Sequence, residues 1–478
     1  MRSLALALLL AAGCAAPRGE PPPYDLVLRG GRVIDPESGY DAIADVGIRG
    51  GTVAAVGSGL DGREILDLRG RIVAPGFIDL HSHGQDEEND RLKALDGVTA
   101  AFELEVGTHD VDAWYASRAG KAIIHHGVAV GHIPVRMEVM GEPVTFLPAL
   151  GSRAAQEVAS GEQRAEIRRR IERGLARGAV AVGFGLQYTP GASAEEVREA
   201  FHAAAAGGAS CHVHMRHYGT REPSSLTALQ EMLEAAEATG AALHVVHLNS
   251  TALRAAEEAL RRIAAARARG LDVTTEAYPY TAGMTDIRSG VFAPGWKEGY
   301  GISYKDLQWA ETGERLTEET FAEKSKTGGM VICHVIPPET VRTILANPMA
   351  MVASDGQLKN GKGHPRSAGC FSRFLGRYVR DEKLMAWPEA LRRITLLPAK
   401  RLERAAPAMR RKGRLAPGAD ADITVFDPAR ILDRSTYEQP GLAPEGIALV
   451  IVAGTVVVRD GRLVGEGRPG LAIRGPQH

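Results

Sequence analysis

Between residues 72 and about 404, short apolar segments alternate with Ala-, Glu- and Arg-rich amphipathic ones, and this rhythm restricts the fold more than any other feature of the chain. The apolar segments include 98–105, 179–184, 210–214, 243–247, 273–277, 330–334 and 350–354. Helical patterns at 161–177, 193–206, 225–239 and 252–268 lie between them. Parallel strands need long crossover connections, which a helix supplies. So many strand–helix units predict an α/β fold built on a (β/α)8 barrel of the TIM type, over residues 74–404. A doubly wound open sheet is the alternative, but no G-x-G-x-x-G follows the first strand to support it.

The two ends of the chain have another character. Residues 24–73 alternate apolar and polar residues in short runs, with glycine pairs at 30–31 and 50–51 marking turns. Residues 405–470 return to that style, and the two ends together predict one small β-sandwich domain. Residues 284–349 interrupt the barrel rhythm with aromatics, Gly and Pro, and are expected as an insert or lid over the barrel mouth. With 478 residues there is room for one large domain and one small one, and the 55 glycines suit a fold with many tight turns. A formal net charge of −1 provides no basic field, which excludes nucleic acid as a partner.

Met1-Arg2 precedes an apolar run, Leu4 to Ala12, that is too short to span a bilayer and reads as a secretory leader. The run ends Leu10-Ala11-Ala12-Gly13-Cys14, similar to a bacterial lipoprotein cleavage box, although Ala11 stands where Leu or Val is commoner. The expectation is a leader over 1–14, a tether over 15–23 and an exported protein of the cell envelope. A lipid on Cys14 would be its membrane attachment; an ordinary leader cleaved nearby is the alternative. Cys211, Cys333 and Cys370 are odd in number and show no C-x-x-C spacing, so small buried hydrophobes are expected there.

The chemistry gathers at the ends of the apolar segments, where barrel enzymes carry their catalytic groups. Ala74 to Gly84 reads A-P-G-F-I-D-L-H-S-H-G. Residues i and i+2 of a strand share a face, so His81 and His83 project side by side and form half of a metal site. The plain alternative is a pair of core histidines. Asp79 falls on the same face, one step deeper, where a carboxylate would orient a ligand ring. Glu103 and Glu105 share a face of the next strand, and buried carboxylates need a cation. Glu105, nearer the mouth, is the expected ligand, placed to bridge two ions, with Glu103 the second choice. His214 is favoured over His212 as nearer its strand end, and His247 tips the following strand while His244 faces the other way. Asp355 follows a short apolar strand and precedes a Gly turn. Histidines with Glu and Asp at successive strand ends are the donor set of a hydrolytic zinc-type site.

In this order the segments PGFIDLHSHG, HMR, HLN, YPYTAG and ASDG resemble the amidohydrolase superfamily. Within it the chain resembles the N-acyl-D-amino-acid deacylase (D-aminoacylase) branch, as the HPR segment at 364–366 and GRLAPGADAD at 413–422 also do. The likeness covers roughly residues 24–465. It implies one or two zinc ions, or another divalent metal, with His81 and His83 holding one and His214 and His247 the other. It also implies that Asp355 binds the attacking water and carries its proton to the leaving amine. Tyr278 would donate to the developing oxyanion, and Arg366 would take a substrate carboxylate through its planar fork. The implied reaction is hydrolysis of a small N-acyl amino acid or related amide. A dipeptidase, a cyclic-amide hydrolase or a deaminase on the same scaffold is the second reading, and a non-enzymatic envelope binding lipoprotein the third.

Three positions depart from the branch. Glu105 stands where it typically has Cys, exchanging a soft ligand for a hard one. Asn249 replaces a Lys near the substrate, which removes a positive contact and leaves an amide as the substrate-binding group. Met284 replaces a Ser after YPYTAG.

Overall fold

The computed structural model describes residues 23–477; the expected leader, Cys14 and the tether as far as Pro22 lie outside them. Eight parallel strands form one sheet: β1 (Phe77–Asp79), β2 (Val98–Thr108), β3 (His125–Gly131), β4 (Ala181–Gly185), β5 (Ser210–His214), β6 (Ala242–Val245), β7 (Val273–Ala277) and β8 (Ala350–Val352). They neighbour one another in chain order, the order of a (β/α)8 barrel and not of a doubly wound sheet. The ladder stops between β8 and β1, and the segments just past these two strands bridge the gap. The Asp355 amide donates to His81 O at 2.7 Å, and the His83 amide to Gly356 O at 3.0 Å. The fold is thus the expected α/β barrel, nearly closed.

These strands are covered on both faces, which is why they read as continuous apolar runs rather than alternating ones. The helices bury one stripe each. Gly161–Ala176 starts on a capping box between Ser160 and Gln163 and buries Ile167, Ile171 and Gly174, spaced four and three apart. Gly174 is required by close packing: a Cβ there would stand 2.6 Å from the Val130 side chain.

Both ends of the chain meet in a second sheet of nine strands. Ile72–Pro75 is its seam, parallel to Tyr24–Asp35 and antiparallel to Ile423–Phe426. Leu28, Val33, Ile48, Val73, Ile423 and Ile451 fill its core. Pro75-Gly76 then leads directly into β1, so this sheet fixes where the barrel begins. The C-terminal tail returns to the barrel, where the His126 amide donates to Leu471 O and the Ile473 amide to His126 O.

Two features correct the strand pattern. Met330–Cys333 is not a barrel strand; it pairs antiparallel with Gly283–Asp286 and with Leu307–Trp309. Its own small core includes Ile287, Trp296, Leu307, Trp309 and Val331. A short apolar run does not specify which sheet it joins. Conversely β3, absent from the sequence pattern, fills the third barrel position. Its His125-His126-Gly127 opening hides it, although all seven residues are buried.

Candidate metal centre

Nitrogen and oxygen donors from five strand ends converge in two groups: His81, His83, Glu105 and Asp355 in one, Glu105, His214 and His247 in the other. Glu105 is common to both. Its Oε2 lies 2.7 Å from His81 Nε2, 3.3 Å from His83 Nε2 and 3.8 Å from His247 Nε2. Its Oε1 lies 2.8 Å from His214 Nδ1. Asp355 Oδ1 stands 3.2 Å from His83 Nε2 and 3.5 Å from His81 Nε2.

Glu105 reaches this position because β2 bulges. Glu103 pairs with Val128 and Thr108 with Val130, so five steps of β2 span two of β3. Gly107 supplies a φ of 66° within the bulge. Gly183 on β4 admits it, since a Cβ there would stand 2.3 Å from Glu105 O. His247 and Asp355 also leave their strands in left-handed conformations, φ 28° and 52°. Such geometry costs a non-glycine residue roughly 1–3 kcal/mol and clusters at functional sites.

A second layer fixes the rings. Glu276 Oε1 lies 2.6 Å from His81 Nδ1, and its Oε2 lies 3.0 Å from His244 Nε2. Glu103 Oε2 lies 2.7 Å from His83 Nδ1, while its Oε1 accepts from the Val106 amide at 3.1 Å. Gln187 Oε1 lies 2.8 Å from His214 Nε2, and Gln187 Nε2 donates to the Tyr300 hydroxyl at 3.1 Å. Glu103 therefore orients a ring and Glu105 faces the donor nitrogens. Asp79 does not orient a ring, as its position suggested. It accepts from the Ser354 amide and hydroxyl and pairs with Lys93 Nζ at 2.8 Å, tying β1 to β8. Glu276 and Gln187 escaped the sequence reading. The solitary acid in the buried run Thr275-Glu276-Ala277 was the available signal, because a buried carboxylate needs a partner.

The electrostatics favour a bound cation. Among the described residues, Arg366 is the only Lys or Arg within ion-pair distance of Glu103, Glu105, Glu276 or Asp355. Burial opposes charge on His81, yet Asp355, Glu276 and Glu105 outweigh it and carry its pKa to about 10. Burial, with His247 close by, pushes His214 below the ordinary histidine range and leaves its ring neutral, the form that metal binding would require. Burial also opposes ionisation of Asp355, but Arg366 and then His81 hold its carboxyl well below the usual range. Imidazole and carboxylate donors around such a negative centre fit a divalent metal such as zinc.

Other predicted residues take definite places. Tyr278, just past β7, lines the recess above the donors. Its buried hydroxyl has no hydrogen-bond partner; burial pushes its pKa up, so the phenol remains a donor. Arg366 lies over the Tyr278 ring at 4.5 Å. Its Nη1 stands 2.8 Å from Asp355 Oδ2, out of hydrogen-bond alignment. Asn249 does not line the recess; it is fully buried and donates to Tyr278 O at 3.2 Å, bracing that residue from behind. Met284 does line it. The three described cysteines are free and buried, and burial pushes their thiols up.

Comparison with known proteins gives consistent likenesses. A family model described as the Amidohydrolase family matches residues 64–458. The N-acyl-D-glutamate deacylase of Alcaligenes xylosoxydans xylosoxydans is 32% identical, over 94% of this chain and 96% of its own. The D-aminoacylase of the same organism is 29% identical over 93% and 96%. A crystal structure of the N-acyl-D-glutamate deacylase from Bordetella bronchiseptica, complexed with zinc and a phosphonate mimic of the tetrahedral intermediate, superposes with a TM-score of 0.81. That protein is 29% identical, and the match covers 94% of this chain and 99% of that one.

Proposed function

The chain belongs to the amidohydrolase family and is a metal-dependent hydrolase of amide bonds; we propose that its substrates are N-acyl amino acids, which it deacylates. The single observation that carries this reading is the convergence of Asp355, Tyr278 and Arg366 on the donor cluster at one recess. A proton acceptor, a neutral donor and a cation for a carboxylate are the three protein groups that such a substrate requires.

We propose zinc as the metal, in one or two sites, with His81 and His83 in one, His214 and His247 in the other and Glu105 between them. The zinc in the Bordetella bronchiseptica relative supports this choice. A divalent ion held there supplies Lewis acidity, polarising the amide carbonyl and acidifying water. The protein groups do the rest. Asp355 Oδ1 accepts the proton of the attacking water and returns it to the amide nitrogen as the C–N bond breaks. The Tyr278 hydroxyl donates to the carbonyl oxygen as negative charge grows on it. Arg366, already beside Asp355, receives the substrate carboxylate and sets the amide against the donors. Asn249 serves by holding Tyr278 through its carbonyl.

Product analysis tests this reading. N-acyl amino acids should yield a free amino acid and a carboxylic acid in equal amounts. Release of ammonia, or a ring-opened acid from a cyclic amide with no deacylation, would replace it with the deaminase or cyclic-amide reading.

We further propose that the protein is exported and anchored by a lipid on Cys14, supported by the charged start, the apolar run and the small residues before that cysteine. Palmitate labelling checks it: label and membrane association should vanish in Cys14→Ser, and a labelled variant would refute the anchor.

A further inference from the structure

The recess lining is of two kinds. The donor histidines, Glu105, Asp355 and Arg366 are its titratable groups; Phe146, Leu147, Met284, Val291, Met330 and Val335 form an apolar wall, beside the neutral Tyr188, Thr285 and Tyr300. Most of that apolar wall comes from the segment between β7 and β8, where Val335 packs against the core of Trp296, Leu307, Trp309 and Val331. Among the residues lining the recess, Arg366 is the only Lys or Arg. Its charge is already met in part by Asp355, 2.8 Å away, and the substrate's α-carboxylate claims the remainder. Asn249 adds no charge there either, its neutral amide being turned into the protein.

A substrate with a second carboxylate would therefore bury a negative charge against uncharged lining, in a recess whose one cation is already engaged and that also contains Glu105 and Asp355. Burying an unpaired carboxylate is costly enough that the group protonates or the complex fails to form. An apolar side chain meets the opposite balance, since its surface leaves water for matching surface. We propose that this enzyme selects N-acyl amino acids with neutral, apolar side chains and rejects those with acidic side chains, although one of its similar relatives is named for D-glutamate. The inference rests on the deacylase reading above.

The test compares kcat/KM of the metal-replete, full-length protein on N-acetyl-methionine, -leucine and -phenylalanine against N-acetyl-glutamate and -aspartate, as D and as L forms. Within the accepted hand, the apolar substrates should exceed the acidic ones by about a hundredfold or more. This is the size of effect expected from an unpaired buried polar group or charge. Acidic substrates cleaved as fast or faster would overturn the selectivity and leave deacylation standing. Cleavage of none would overturn both. Met284→Lys adds the missing cation to the wall, and should raise turnover of the acidic substrates relative to the apolar ones at least tenfold. A folded variant with no relative gain would take that wall out of the side chain's path and overturn the proposal.

Discussion

Asp355 is held by opposed demands: burial disfavours its charge, while Arg366 and His81 favour it. The result is an ionised carboxylate with one oxygen toward the ligand histidines and the other toward Arg366. Asp355→Asn keeps the shape and removes the proton acceptor, so amine release should fall roughly 10²–10⁴-fold, the usual weight of general acid–base catalysis. A variant within tenfold of the wild type would remove Asp355 from that role. Glu105 is the other decisive residue. Glu105→Ala deletes the only group common to both donor clusters, and bound metal, counted by elemental analysis, should fall in both. Unchanged metal content would mean that the histidines suffice. These side chains were legible in the sequence because strand alternation places i and i+2 on one face: His81 with His83, Glu103 with Glu105. Alternation could not separate the two glutamates; a bulge and the missing Cβ of Gly183 do that. Nor could it show that Asn249 faces inward, because its direction depends on the helical turn Leu248–Ala252 that follows β6.

At the scale of elements, the His81, His83 and His214 rings are each set by a neighbour from another element, whereas His247 Nδ1 meets Ser250 three residues on. Glu276 on β7 holds both His81 and His244. Such partners fix the tautomer and aim of a ligand, and their loss typically costs about 10–100-fold in metal affinity. Glu276→Gln should weaken metal binding by that factor in a competition titration with a chelator, with the far-ultraviolet circular dichroism unchanged; undiminished affinity would make Glu276 a packing residue alone. Gln187 similarly connects His214 to Tyr300, which belongs to the segment between β7 and β8. This connection was invisible in the sequence, because it joins residues more than a hundred positions apart through one amide. The barrel strands themselves were readable, except where a run joined the small sheet instead, as Met330–Cys333 does, or where histidines masked one, as in β3.

At the scale of the whole molecule, the barrel and the nine-stranded sheet are joined by a buried charge cluster. Asp422, just before Ile423–Phe426, stands 2.9 Å from His125 Nε2 on β3 and 2.6 Å from Lys412 Nζ. Burial raises its pKa, but His125 and Lys412 outweigh this and hold it well below the usual carboxylate range. The folded state thus binds fewer protons than the unfolded one. Its stabilisation is fully present above the unfolded value, about 4, and is lost as pH falls below it. Asp422→Asn takes the buried carboxylate from His125 and from Lys412, which keeps Asp420 at 3.0 Å, and should cost about 3 kcal/mol at pH 7 by denaturant unfolding. The gap from wild type should narrow steadily below pH 4; a gap independent of pH would contradict the linkage. The joining of both chain ends in one sheet follows from their shared strand style, whereas the return of Leu471 and Ile473 to the barrel carries no pattern to announce it. Hydrolysis by this protein requires a metal held at the mouth of the barrel and acting on an amide. This requirement is tested most directly by measuring amino acid release from an N-acyl amino acid by the zinc-loaded protein, by the same protein after a chelator, and after zinc is returned. Turnover, its loss and its recovery are expected in that order; turnover that persists unchanged through metal removal would contradict a metal-dependent hydrolase.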